Sequence, residues 1–218
     1  MKSYRVMLLN LICLLSNLLV LFTPDTKAAM ILDKTQNQYK KMGGMEIFFD
    51  YEQIEKGKST GQNKGQLLSK DHKYRLILKD FEIYNNSKIQ YTYLKRNKEV
   101  QITNPEESEN KYQPAQLAAI HKAGTHQAKY IKLYKSKGKN SHIIELIPES
   151  KTETISKITL YISEKTNLIE KAEWQDMNGA KTIVVFTKTV ASRLIDDAAF
   201  ELKTDDLKGV HIEDLRDE

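Results

Sequence analysis

The feature that most constrains this chain is a two-residue alternation of apolar and polar side chains, which runs through residues 64–103 and resumes beyond 128. Successive side chains on a strand point to opposite sides, so Tyr74, Leu76 and Leu78 share one face, as do Ile89, Tyr91 and Tyr93. Asn85-Asn86-Ser87 and the lysine-rich 95–98 supply turns between these runs. Such a pattern fits an antiparallel meander with one greasy face and one polar face.

The remainder of the chain extends the same plan. Over 30–42, Ile31, Thr35, Tyr39 and Met42 recur at spacings of four and three, which predicts an amphipathic helix stopped by Gly43-Gly44. Residues 45–54 alternate again, with Ile47, Phe49 and Tyr51 on one side, and the Gly-, Ser- and Lys-rich 56–64 reads as a loop. Between 104 and 124 the pattern turns helical: Pro105-Glu106-Glu107 resembles a helix start, and 114–123 carries a small apolar face that includes Leu117 and Ile120.

Strands are predicted again at 128–135, 142–148, 155–163, 168–175 and 180–189. Asp176-Met177-Asn178-Gly179 gives a strong hairpin signal before the last of them. With no βαβ alternation, the reading is mainly β with some α: a strongly curved antiparallel sheet, or unclosed β-barrel, of about eleven strands. An N-terminal helix and a short helical insert cover it. Its concave face either packs its own side chains or encloses a cavity, and the pattern fits both.

The 218 residues are 40% hydrophobic and 29% charged, enough for one domain with a core and too apolar for a disordered chain. The net charge is +5, and acids are scattered among the bases along most of the sequence. That mixing argues against a nucleic-acid partner, which calls for a basic stripe or interleaved stacking aromatics.

Residues 1–29 have the layout of a cleavable signal peptide: a short basic start, an apolar run over 6–22, Pro24, then Ala28-Ala29. A retained anchor is the alternative, since the run approaches spanning length, but the small residues after Pro24 favour cleavage. The expected mature protein is then one exported domain over 30–218, compatible with a bacterial periplasm. The only cysteine, Cys13, lies inside the apolar run, so the mature chain has neither disulfides nor a thiol nucleophile.

Little in the sequence points to a reaction. His72, His121, His126, His142 and His211 lack a compact ligand spacing, and His121 and His126 have no acid beside them, so no metal is expected. There is no Gly-x-Ser-x-Gly elbow and no phosphate-binding glycine string. The acidic pairs read as turns and helix starts, and the chain is expected to be neither an enzyme nor a cofactor binder.

Several strings in order resemble the LolA family of outer-membrane lipoprotein carriers. Phe49, Tyr51 and Gln53 stand where the family has a Phe-rich first strand ending in Gln. Gly65-Gln66-Leu67-Leu68 leads through Lys70 to Tyr74, as a Gly-x-Leu-Trp strand leads to an aromatic. Asn86-Ser87-Lys88-Ile89-Gln90-Tyr91-Thr92-Tyr93 matches an Asp-Gly-Lys-x-x-Trp-x-Tyr strand, and Gly209-Val210-His211-Ile212-Glu213-Asp214 matches the family's chain end.

The resemblance implies a monomeric periplasmic chaperone that carries lipidated proteins. An inner-membrane ABC exporter would be the donor and an outer-membrane receptor lipoprotein the acceptor. It implies an acyl-binding cavity walled by Ile47, Phe49, Tyr51, Leu67, Tyr74, Leu76, Leu78, Ile89, Tyr91 and Tyr93, and a lid or gate at Lys70, Leu117 and Ile120. Lys70 replaces the arginine proposed to lock the family's lid, and a lysine lacks the planar fork of that side chain. A periplasmic lipid-binding regulator of the same architecture, or a generic lipid shuttle, is the alternative reading.

Overall fold

The computed structural model describes residues 25–105, 113–136, 138–150, 152–203 and 207–216. Most of the expected signal segment therefore lies outside the described residues. So does the helix start expected at Pro105-Glu106-Glu107, from Glu106 on. Among the described residues no helix is long and apolar enough to cross a membrane.

Helix α1 spans Thr26–Met42, starting four residues before the periodicity suggests. The reason is local: the Asp25 side chain accepts hydrogen bonds from the Lys27 and Ala28 backbone N–H groups, so the helix is capped there. Gly43 closes the other end at φ 73, a conformation that glycine adopts without steric cost. Ala28, Ile31, Leu32, Thr35 and Tyr39 form the buried stripe.

Twelve strands follow, against an expectation of about eleven. They are β1 (Gly44–Glu55), β2 (Lys58–Lys70), β3 (Lys73–Ile77), β4 (Phe81–Asn85), β5 (Gln90–Leu94) and β6 (Glu99–Thr103). After a helical insert come β7 (His126–Ser136), β8 (Lys139–Pro148), β9 (Ile155–Ser163), β10 (Ile169–Asp176), β11 (Lys181–Ala191) and β12 (His211–Asp214). The sheet order is β12-β6-β5-β4-β3-β2-β1-β11-β10-β9-β8-β7. The end strands β12 and β7 do not pair, so the sheet is an unclosed barrel. Every pairing is antiparallel except that of β12 with β6, which is parallel.

Residues 58–64, expected as a loop, form the first half of β2 and pair with β1 from Glu55↔Lys58 onward. Lys56 and Gly57 both have positive φ, 49° and 76°. That is the backbone of a tight two-residue hairpin, so the polar composition of the segment rides on paired strands instead of a loop. Among the described residues the insert holds a single turn α2 (Pro114–Leu117), then a 3-10 turn, Ile120–Ala123, ended by Gly124 in the left-handed region.

One face of the curved sheet carries the core. Ile47, Leu67, Ile144, Leu146, Ile158, Leu160 and Ile162 from the strands meet Ile31, Leu32 and Tyr39 of α1 and Leu117, Ala118 and Ile120 of the insert. Tyr39 fixes the helix in place by accepting a hydrogen bond from the Ile169 backbone N–H at 3.1 Å. Burial pushes that phenol far up, so it stays neutral as an acceptor.

Candidate functional site

The helix and the insert fill only part of the concave face. Toward the end where β1 begins, beside Gly44, Tyr74 and Ser69, the surface is closed: Ile47 is wholly buried and Tyr74 is 4% exposed. Toward the opposite end, where Lys56-Gly57 turns, the same face is only half covered. Tyr51, Leu76, Leu78 and Ile83 from one side and Trp174, Val184 and Phe186 from the other pack partly buried against the core.

Strand register brings these residues together. Tyr51 pairs with Val184, Phe49 with Phe186 across a bulge, and Leu76 with both Leu67 and Ile83. The Phe49 ring meets Tyr51 at 6.2 Å and Phe186 at 6.4 Å between centroids, the second edge-on. Beside this band a hollow of about 370 Å³ opens, lined among others by Ile54, Ile155, Trp174 and Thr182. Burial, and then the Asp80 carboxylate, push the Tyr51 hydroxyl up, so it too stays neutral. The band itself is apolar and half covered, while Glu55, Asp176 and Lys181 rim the hollow beside it.

Seven of the ten expected wall residues meet on this face: Ile47, Phe49, Tyr51, Leu67, Tyr74, Leu76 and Leu78. Ile89, Tyr91 and Tyr93 do not join them. Asn85 pairs with Tyr74 on one side and Gln90 on the other, so Gln90 and Thr92 continue the concave face and Tyr91 and Tyr93 point to the opposite one. Ile89 lies before the strand, in the turn where the Asn86 side chain accepts its backbone N–H. The concave positions are instead polar: Tyr74 Oη and Asn85 Nδ2 both donate to Gln90 Oε1, at 2.8 and 3.2 Å.

The expected gate divides in the same way. Leu117 and Ile120 are buried in the core beneath α1. Among the described residues the polar contacts of Lys70 lie away from the insert. Its Nζ donates to the Ile195 carbonyl at 2.9 Å and pairs with Asp197 at 3.5 Å, tying β2 to the 3-10 turn Asp197–Phe200. Lys73, nearer at 2.7 Å, is the main reason the Asp197 carboxyl is held below its usual range. The strand-to-insert link is Ser69, whose Oγ donates to Gln113 Oε1 at 3.0 Å.

Trp174, Val184 and Phe186 are not among the expected wall residues, although all three lie on alternating runs whose inward face follows from the period of two. His121 also differs from expectation: Asp33 of α1 lies 3.5 Å from its Nε2, an acid partner that no spacing in the sequence reveals. Burial is the largest influence on that ring and holds its pKa down. Among the described residues no group of three or more His, Cys, Asp or Glu is placed to hold a metal ion.

The family profile of the outer membrane lipoprotein carrier protein LolA matches residues 83–203, more than half of the chain. The chain belongs to the LolA family. Among curated proteins no sequence matches this LolA-family chain. Its fold is similar to that of an uncharacterised conserved protein from Thermus thermophilus, at 9% identity and a TM-score of 0.58, covering 86% of this chain and 99% of that one.

An outer membrane lipoprotein-sorting protein domain from Vibrio parahaemolyticus is similar at 14% identity and TM-score 0.48, covering 84% and 99%. A LolA superfamily protein from Nitrosomonas europaea is similar at 12% and 0.44, covering 80% and 97%. The Thermus structure alone among the three carries the fold comparison.

Proposed function

We propose that this LolA-family chain is a periplasmic carrier that holds the acyl chains of lipidated proteins and moves them from the inner to the outer membrane. In this reading residues 1–29 are a signal peptide removed on export, and 30–218 form one carrier domain that acts as a monomer. The donor is an inner-membrane ABC exporter and the acceptor an outer-membrane receptor lipoprotein. The observation that carries the reading is the half-covered apolar band around Tyr51, Leu76, Leu78, Ile83, Trp174 and Phe186, on a face otherwise closed by α1 and the insert.

Each acyl CH₂ left in water costs about 0.8 kcal/mol, so a lipidated protein crosses an aqueous compartment only with its chains covered. Handover requires no chemistry on the carrier. It requires an acceptor that binds more tightly, at about 1.4 kcal/mol for each tenfold in the ratio. The chain therefore acts by binding and not as an enzyme.

The test is to purify the protein from cells that export lipoproteins and identify what remains bound by mass spectrometry. Intact acylated proteins are the expected result. Phospholipid alone would make this a lipid shuttle, and a chain free of any lipid under these conditions would remove the carrier reading.

A further inference from the structure

Charges are least mixed on the β7–β8 hairpin. From His121 to Ile144 the sequence holds six lysines and no aspartate or glutamate. Since β7 ends the sheet, lysines along it have an ordinary use, which is to discourage edge-to-edge association. That accounts for Lys129 and Lys135.

It does not account for the consequence of the register shift between Tyr130 and Lys132. One extra residue, Ile131, turns Lys132 and Tyr134 to the outer face, opposite Ile143 and Ser141, where Lys139 also lies. Together they border a hollow of about 770 Å³ whose far wall includes Tyr161, Lys171 and Val185.

The charged groups around this hollow are not equivalent. Glu170 accepts a hydrogen bond from Ser141 Oγ at 2.8 Å. Lys171 pairs with Glu173 at 2.6 Å and sits 4.7 Å above the Tyr161 ring centroid. Lys132 and Lys139 take part in no ion pair among the described residues. On the same ribbon Tyr134 is 49% exposed and Ile131 is 39% exposed.

Two ammonium groups free of ion pairs, outnumbering the one carboxylate of Glu170 at the hollow, beside a half-exposed tyrosine and isoleucine suit a phospholipid surface. Ammonium groups meet phosphates, a phenol lies comfortably at headgroup depth, and an aliphatic side chain reaches the acyl boundary. An acidic protein would match the lysines but gives no reason for Ile131 to be bare. We propose that the outer face of the β7–β8 hairpin docks on an anionic phospholipid surface, with the hollow receiving a headgroup phosphate. This is independent of the acyl-binding band, which lies on the other face of the sheet.

The experiment is co-sedimentation of the full chain with vesicles of phosphatidylcholine alone and of phosphatidylcholine with phosphatidylglycerol. Binding to the anionic vesicles only, weakening as salt rises, is the expected result. Lys132→Gln and Lys139→Gln should each lower it about fivefold, the equivalent of about 1 kcal/mol per lysine at an anionic surface. Tyr134→Ala should lower it too, and thermal melts by circular dichroism check that each variant is folded.

Equal binding to both vesicle types, binding to neither, or wild-type binding by the folded double lysine variant would each overturn the proposal. Capture by polyglutamate without any binding to vesicles would overturn it as well and assign the ribbon to an acidic protein. Acyl-chain retention by the same variants should be unchanged, so failure here leaves the carrier reading standing and the reverse holds too.

Discussion

Gly65 lies directly beneath the ring of Phe49. A Cβ at Gly65 would run into Cζ and Cε2 of that ring and would come within 2.7 Å of Leu78 Cδ2. The glycine at this position serves a close approach on the concave face and not a turn. Gly65→Ala should therefore displace Phe49 and Leu78 and cost about 1–3 kcal/mol, as overpacking of a filled site does. Urea unfolding followed at two wavelengths checks this, and a variant as stable as the wild type would show that the ring moves freely.

The two faces of β3–β5 give a second prediction. Leu76→Glu places a carboxylate in the apolar band and should abolish retention of acylated cargo while the protein stays soluble. Tyr93→Ala changes the opposite face and should leave retention as it was. The comparison is read by counting acylated protein recovered with each purified variant. Equal loss in both would break the assignment of the band to one face.

Asp25 binds two elements at once. One carboxylate oxygen caps α1 and the other accepts the Tyr130 backbone N–H at 2.7 Å. In protein prepared with residues 25–29 retained, Asp25→Ala should cost about 1–2 kcal/mol through the lost cap. It should also speed hydrogen exchange at the Tyr130 amide, which a purely local effect on the helix would leave untouched.

Glu82 provides a pH signature. Burial is the largest single influence and works against its ionisation, but hydrogen bonds from Tyr84, Arg75 and Lys95 together outweigh it and hold the carboxyl below its usual value. A carboxyl whose folded pKa is depressed contributes stability that is fully present above its unfolded pKa, about 4.3, and is lost as pH falls through the lower folded value. Wild type should lose more stability than Glu82→Gln between pH 6 and pH 3, as measured by chemical denaturation on that pH series. Parallel losses would show that the ion cluster contributes nothing.

The polar cluster at Gln90 is a fifth site. Gln90→Leu removes the acceptor of the buried Asn85 Nδ2 and one hydrogen bond of Tyr74 inside the sheet, and a buried donor deprived of its acceptor costs about 1–3 kcal/mol. The measurement is the midpoint of urea unfolding, with a neutral outcome counting against a structural role for this cluster.

Much of the architecture was legible because alternation is a strong signal wherever one face is buried. The strands, the Asp176–Gly179 hairpin and the inward row Ile47, Phe49, Tyr51 all follow from it. What alternation does not carry is phase across a turn. At β5 and the residue before it the pattern Ile89, Tyr91, Tyr93 is as regular as Tyr74, Leu76, Leu78, yet an Asn86 turn sets the register so that Gln90 faces inward. Composition misled at 58–64 for a related reason: the pairing of a polar strand is decided by its neighbour β1 and by two residues at the turn. The Asp33–His121 contact joins distant segments and leaves no local trace.

The seam between β1 and β11 also sets the order in which this molecule can assemble. β2 to β6 and β7 to β10 are built from hairpins between neighbours in sequence, which close early and locally. The seam joins Met45 to Ala191 and Phe49 to Phe186, across more than half of the chain. Until β11 reaches β1, the two meanders have no common edge and Phe49 has no Phe186 to meet. The apolar band is thus completed only when this seam closes, later than either meander on its own.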